Sequence, residues 1–381
     1  GYSERQIGIV MASIFLPSVV TTPLWGYLGD RTARHRVILI ACLAVSVFAV
    51  LGIRLSGSAI GLAITCGLIY SLTLMSLPGL VDSWVMALRR RGAAITYGIA
   101  RGFGSFGYSA SGAVLGIVLQ RFGLVHLFSI YAGFVVIVVV VIATMPGRTT
   151  DLTAAAGRGD EPGEPDRTDV AHDAPPFQHG LSPIRAVLSN RNYVIFVAST
   201  FLVFIGMRAS MTFLALRFYE LGGNTAHVGI AQSVFAGSEI PFMFLTALVL
   251  RRWRPRDVVA VALFLFVIRL VVVRVAPTPM ALVIAQSLHG PSMGLLMPAS
   301  VHLIDRIAPP EHRSLFQTLA PAVYFGLASV VGSSLGGVVV DLFGLNVLYT
   351  SAPIIAAAGA TLFAAALIVE RSKRAVGPPT V

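Results

Sequence analysis

Long apolar runs alternate with short polar ones along most of the chain. Apolar stretches bounded by glycine, proline or charge occupy residues 6–28, 37–54, 58–88, 96–119, 124–145, 193–218, 227–250, 257–274, 279–305, 313–340 and 345–369. Each comes close to or exceeds the roughly 20 residues that an α-helix needs to cross a hydrocarbon core, and far exceeds a tilted barrel strand. The pattern predicts eleven transmembrane helices in an all-α polytopic membrane protein. It lapses between 146 and 190, where Asp151, Asp160, Glu161, Glu164, Asp166, Asp169 and Asp173 mingle with Pro162, Pro165, Pro175 and Pro176. That composition predicts a flexible polar linker with no site of its own.

Composition strengthens this reading. Of 381 residues, 56% are apolar and 12% charged, with a mean hydropathy of +0.81, which an ordinary soluble domain does not show. A self-comparison then reveals a repeat. At a constant offset of 221 residues, Ile7-Gly8-Ile9 falls on Val228-Gly229-Ile230, Leu24 on Leu245, Gly116 on Gly337, and Phe122-Gly123 on Phe343-Gly344. Two homologous helical halves follow. The helix at 193–218 has a counterpart only upstream of Gly1, so the repeat predicts a parent of twelve helices in two bundles of six, with the first helix missing from this chain. The expected organisation is an N-terminal bundle over 1–145, a linker over 146–190, a C-terminal bundle over 191–370 and a tail over 371–381.

The formal net charge of +11 does not indicate nucleic acid, because the basic residues lie between apolar runs and not on a solvated domain. Twenty of the 28 basic residues fall in alternate loops and ends, among them Arg31, Arg34, Arg36, Arg89, Arg90, Arg91, Arg251, Arg252, Arg254, Arg256, Arg306 and Arg371. The opposite side has Arg5, Arg54, Arg121, Arg217 and Arg274. The linker and C-terminus are therefore expected on the cytoplasmic side of a plasma membrane, bacterial in character. Cys42 and Cys66 both lie in apolar segments and form no zinc or disulfide pattern. No nucleotide loop, metal motif or nucleophile pair is present, so neither an enzyme nor an ATP-driven pump is expected and no cofactor is called for.

Three basic residues, Arg101, Arg208 and Arg269, fall within spans. A charged side chain at a helix centre costs about 2.5–3.5 kcal/mol on insertion scales, so it marks a candidate site. At 1.5 Å per residue, Glu239 lies about 16 Å and Arg269 about 18 Å from the arginine-rich ends of their helices, and His289 about 15 Å from the opposite face. All three fall near the midplane. Asp82 and Arg101 sit at a common depth of about 8–9 Å on consecutive helices, a placement suited to an ion pair. Tyr108, seven residues after Arg101, shares its face and offers a π surface beside the guanidinium. The competing explanation for each cluster is a static network that holds helices in register. Arg208 either lines the outer cavity or snorkels outward, and His302 reads as interfacial.

The first loop reads Gly26-Tyr-Leu-Gly-Asp30-Arg31-Thr-Ala-Arg34-His-Arg36. It resembles the loop signature of the major facilitator superfamily. The resemblance implies that Gly26, Asp30, Arg31, Arg34 and Arg36 form a cytoplasmic gate that latches the two halves; in the second half Arg251 replaces the acid. More narrowly, Tyr97 to Tyr108, Gly237-Ser-Glu239-Ile-Pro241, Val267-Ile-Arg269 and Gln286-Ser-Leu-His289-Gly resemble the lactose permease and phenylpropionate permease branch. In that branch the positions matching Arg101 and Tyr108 bind substrate, and those matching Glu239, Arg269 and His289 serve substrate binding and proton coupling. This chain departs from the branch at Ser292, where the principal proton-bearing acid would stand, so coupling would fall to Glu239, Asp82 or His289. The acidic partner of Arg101 in that branch also stands one position away from Asp82.

These observations imply a monomeric secondary transporter that takes a small-molecule substrate across the lipid bilayer by proton-coupled symport. The alternatives are a proton-driven multidrug or metabolite efflux antiporter and a non-transporting membrane scaffold or sensor.

Overall fold

Uninterrupted apolar sequence and well-placed capping residues produce helices throughout the described part of the chain. The computed structural model describes residues 3–15, 17, 35–75, 77, 81, 84, 97–144, 182–309 and 312–375. Seven segments there are long and apolar enough to cross a membrane, at 36–55, 124–144, 191–212, 255–275, 279–307, 315–343 and 345–372. Two more helices, of 26 and 28 residues, have the length to cross but are diluted by glycine, serine and charge. The predicted spans 6–28 and 58–88 are described only in part.

Contacts divide the chain into two units, one drawn from Gly1–Gly104 and Arg121–Ala174, the other from Ser105–Gln120 and Pro175–Val381. The first contains α1 (Glu4–Phe15), α2 (His35–Leu55), α3 (Ile60–Tyr70) and both ends of α4 (Tyr97–Phe122). It ends with α5 (Leu127–Thr144). Ser3 and Gln6 cap α1 reciprocally, each side-chain oxygen accepting from the other's backbone N–H at 3.3 and 3.0 Å. Leu39 and Leu43 of α2 pack on Val135 and Ile142 of α5, and Ser46 Oγ meets Tyr131 Oη at 2.7 Å across the same seam. The Arg36 guanidinium donates to the Ala143 carbonyl in the last turn of α5, where the helix dipole favours a cation.

The second unit contains α6 (Ser182–Ser189), α7 (Arg191–Thr212), α8 (Leu214–Glu220), α9 (Thr225–Arg252), α10 (Pro255–Val275), α11 (Pro279–Ala285) and α12 (His289–Ile307), followed by α13 (Arg313–Pro321), α14 (Ala328–Phe343) and α15 (Leu345–Ala375). The closest packing is of α7 on α15 and α14, α9 on α12, and α10 on α12 and α15. Phe196, Phe204, Phe266, Tyr324 and Phe363 fill the centre. Asn190 caps α7, its Oδ1 accepting from Tyr193 N at 3.1 Å, while its Nδ2 donates to the Ile307 carbonyl at the end of α12 at 2.7 Å. Asn224 and His227 form a capping box on α9, and Pro255 and Pro279 occupy first-turn positions where no N–H is needed.

Several predicted elements are corrected. The linker expected over 146–190 contains the helix α6 at its end, and the expected tail begins inside α15, which continues to Ala375. Three predicted single spans are interrupted. The span 193–218 breaks at Phe213 between α7 and α8. The span 279–305 is α11, a 3₁₀ turn at Gln286–Leu288, and α12, and 313–340 carries a π-helical stretch at Ala322–Leu327. Prolines account for the last two: Pro291 and Pro321 have no N–H to return to the preceding turn, and the backbone tightens or widens beside them.

Candidate functional site

The 3₁₀ turn at Gln286–Leu288 places two polar side chains on the interior of the second unit. Gln286 and His289 are 0% and 2% exposed, and Arg269 from the middle of α10 is 1% exposed. Gln286 is held by a bond from its Nε2 to the Leu282 carbonyl at 3.1 Å, which leaves Oε1 to accept from Arg269 Nη2 at 2.7 Å. The same Nη2 lies 3.1 Å from Met211 Sδ of α7. Nε and Nη1 of Arg269 have no hydrogen-bond partner among the described residues. A guanidinium has five N–H donors, so this one is underused by its surroundings.

Beside it, His289 Nε2 meets Glu239 Oε1 of α9 at 2.7 Å. The imidazole is clamped by Phe235, stacked at 3.6 Å between centroids and 13° between planes, and by the edge of Phe266 at 6.0 Å. Phe235 is one turn before Glu239 on the same face of α9, and its ring also lies under the Arg269 guanidinium at 5.3 Å. One aromatic surface thus orients both a cation and a titratable ring. His289 Nδ1 has no partner among the described residues. The Glu239 side chain is 24% exposed, so the pair is reachable from one side.

Close backbone approach makes this geometry possible. Gly290 lies directly on the Ser238 carbonyl, where any Cβ would collide, and so seats α12 on α9. Farther along α9, Gly229 packs against Gly116 of α4, again without room for a side chain. The contact is extended by Ser109 Oγ donating to the Ser233 carbonyl at 2.8 Å and by Thr225 N donating to Gln120 Oε1 at 3.0 Å. This segment of α4 presents Tyr108, which is 55% exposed.

A buried arginine over an aromatic ring and a carboxylate–imidazole pair whose histidine follows a helix break, in a bundle of membrane spans, can bind a polar solute and hold a proton within the bilayer. Comparison with known proteins places the chain in a family: residues 1–351 match the MFS_1 like family. The chain belongs to that family. Its relatives include an uncharacterized transporter, YwbF, of Bacillus subtilis, 22% identical over the whole of this chain and 89% of that protein. The maltose permease of Geobacillus stearothermophilus is 25% identical over 91% of this chain and 82% of its own. Crystal structures of the nucleoside transporter NupG share the fold, with TM-scores of 0.78 and 0.75 at 16% identity, over 96% and 98% of this chain and 91% and 92% of theirs. The chain is a membrane transporter of the major facilitator superfamily.

Within this family frame the sequence-predicted residues fall into three groups. Glu239, Arg269 and His289 are brought together, but in a pairing that depth alone did not reveal: the carboxylate holds the histidine, and the arginine bonds to Gln286. Tyr108 lies close by. Arg208, read evenly as cavity-lining or snorkelling, lies in α7 with its Cβ against Gly332 of α14. Arg101 sits in α4 with only its backbone described, and Asp82 lies outside the described residues, as do Gly26, Asp30, Arg31 and Arg34 of the loop signature. Arg36 is described and binds α5. Sequence reasoning missed Gln286, Phe235 and Met211. The only signal for Phe235 was its i, i+4 spacing to Glu239, and for Gln286 an uncharged polar residue within an apolar run.

Proposed function

We propose that this family member is a proton-coupled symporter of a small organic solute, acting by alternating access as a monomer, with its arginine-rich loops on the cytoplasmic side of a bacterial plasma membrane. The observation that carries the reading is the Glu239–His289 contact at 2.7 Å beside a buried Arg269 with unused donors. A proton in this pair can sit on either partner. On Glu239 it leaves the carboxyl neutral; when it departs, the carboxylate faces both the imidazole and the nearby guanidinium. Substrate oxygens would bind the spare N–H groups of Arg269, with Tyr108 contributing from α4, so that substrate and proton compete for or complete the same electrostatic balance. Hydroxyl-rich and anionic solutes both suit guanidinium donors beside aromatic rings. The maltose permease relative favours a carbohydrate, with aromatic acids and nucleosides as the other classes to test.

Glu239→Gln tests this. In proteoliposomes the variant should lose gradient-driven accumulation and substrate-dependent alkalinisation of the outer medium while retaining solute exchange. Uphill uptake that survives in both Glu239→Gln and Asp82→Asn would overturn proton coupling through these acids. Acidification on substrate addition would instead assign efflux.

A further inference from the structure

Away from the midplane, the arginine-rich ends of α10, α12 and α15 enclose a cleft of about 280 Å³. Four of its lining residues are arginines, Arg254, Arg256, Arg306 and Arg371, and two are acids, Asp257 and Glu370. The acids are already neutralised within the wall. Arg256 pairs with Glu370, and Arg371 Nη2 pairs with Asp257 Oδ1 at 2.5 Å, two crossed bridges between the start of α10 and the end of α15. Arg254 and Arg306 have no ion-pair partner among the described residues, and they supply the net positive charge of the cleft. Arg254 is also the N-cap of α10, with no side chain capping the helix, so the positive end of a 21-residue dipole adds to the field. The volume lies just below the usual range of small-ligand pockets, about 300–1,000 Å³, and suits one compact group.

We infer that this cleft binds a phosphate group, with Arg254 and Arg306 as its primary ligands, and that occupancy fastens α10, α12 and α15 together at this end. Guanidinium is the side chain that matches phosphate oxygens in geometry as well as charge. A second, narrow cleft shares Arg256, Leu303, Leu367 and Glu370 with the first and adds Asn192, Ile195, Phe363 and Ala366, a largely apolar continuation beside the charged mouth. The phosphate can come from an anionic lipid headgroup or from a soluble phosphate, and the two are separable by experiment. The inference does not depend on substrate or proton coupling, since no residue of the midplane site lines this cleft.

The test is thermal unfolding of the purified protein in neutral detergent, titrated with phosphatidylglycerol, phosphatidylcholine, glycerol phosphate or inorganic phosphate. Phosphatidylglycerol should raise Tm saturably by about 2–4 °C, phosphatidylcholine should not, and the double variant Arg254→Gln, Arg306→Gln should lose the rise while keeping its basal Tm, because neither residue holds an acid. A rise with phosphatidylglycerol alone assigns the lipid; an equal rise with glycerol phosphate or inorganic phosphate assigns the soluble anion. The inference is overturned if no phosphate-bearing probe shifts Tm, or if the double variant responds as the unaltered protein does. Equal loss of the response in the control Arg251→Gln, Arg252→Gln, whose residues lie outside the cleft, would also overturn it by assigning the effect to general surface charge.

Discussion

Replacing Gln286 by Leu keeps the side chain's bulk but deletes the one oxygen to which Arg269 donates at 2.7 Å. Arg269 is 1% exposed and cannot turn to water, and the remaining hydrogen-bond acceptor among the described residues is a sulfur at 3.1 Å, a weak one. Hydrogen bonds to charged groups contribute about 1.5–3 kcal/mol. Interhelical bonds within membranes average about 0.6 with a maximum near 1.7 kcal/mol, because the unfolded state in lipid also finds partners. A cationic donor this deeply buried belongs in the lower part of the range for bonds to charged groups, so a loss of about 2 kcal/mol is expected. At roughly 2–4 °C per kcal/mol, Tm in detergent should fall by about 4–8 °C. The decisive variant is the double one, Gln286→Leu with Arg269→Met. Replacing both partners by apolar groups removes the orphaned charge and should restore most of the lost stability, although the protein will not transport. If Gln286→Leu unfolds within 1 °C of the unaltered protein by the criterion above, or if the double variant is less stable than either single one, Gln286 is not the partner that holds Arg269 in place.

Two further outcomes follow from the packing. Gly229→Leu cannot fit against Gly116, so α4 and α9 must separate there; disulfide cross-linking of cysteines placed at Gln120 and Thr225, bonded in the present structure, should fall sharply in that variant, and unchanged cross-linking would show that the two helices do not need this contact. Asn190→Ala removes both the N-cap of α7 and the bond to the Ile307 carbonyl; a cost of about 1–2 kcal/mol is expected, read as a lower Tm, whereas Asn190→Asp should recover only the cap.

The helices were legible because hydropathy and proline placement are local properties. The site was legible in part. Depth along a helix follows from a fixed rise per residue, and that alone put Glu239, Arg269 and His289 at one level. Rotation about each helix axis depends on packing, so the choice of partner within that level was not accessible: His289 meets Glu239, and Arg269 meets a glutamine that carries no charge to attract notice. Phe235 looked like any aromatic residue in an apolar run until its ring was seen between the imidazole and the guanidinium. The break at Phe213 escaped the hydropathy pattern because backbone geometry changes there without a change in polarity.

By itself the sequence determined that the chain is an all-α membrane protein of the major facilitator type, with charges concentrated on one side and a few ionisable residues at the midplane. The helices and their charges follow from the composition of short windows and the cost of placing charge in lipid, while the family follows from the resemblance of the Gly26–Arg36 loop and the internal repeat. Only the tertiary structure decided which of those charges meet, that Gln286 and Phe235 complete their surroundings, and that Arg254 and Arg306 are left facing a cleft while Arg256 and Arg371 are spent on acids 114 residues away. Such pairings depend on how distant helices are rotated and seated against one another, and no local window of sequence carries that information.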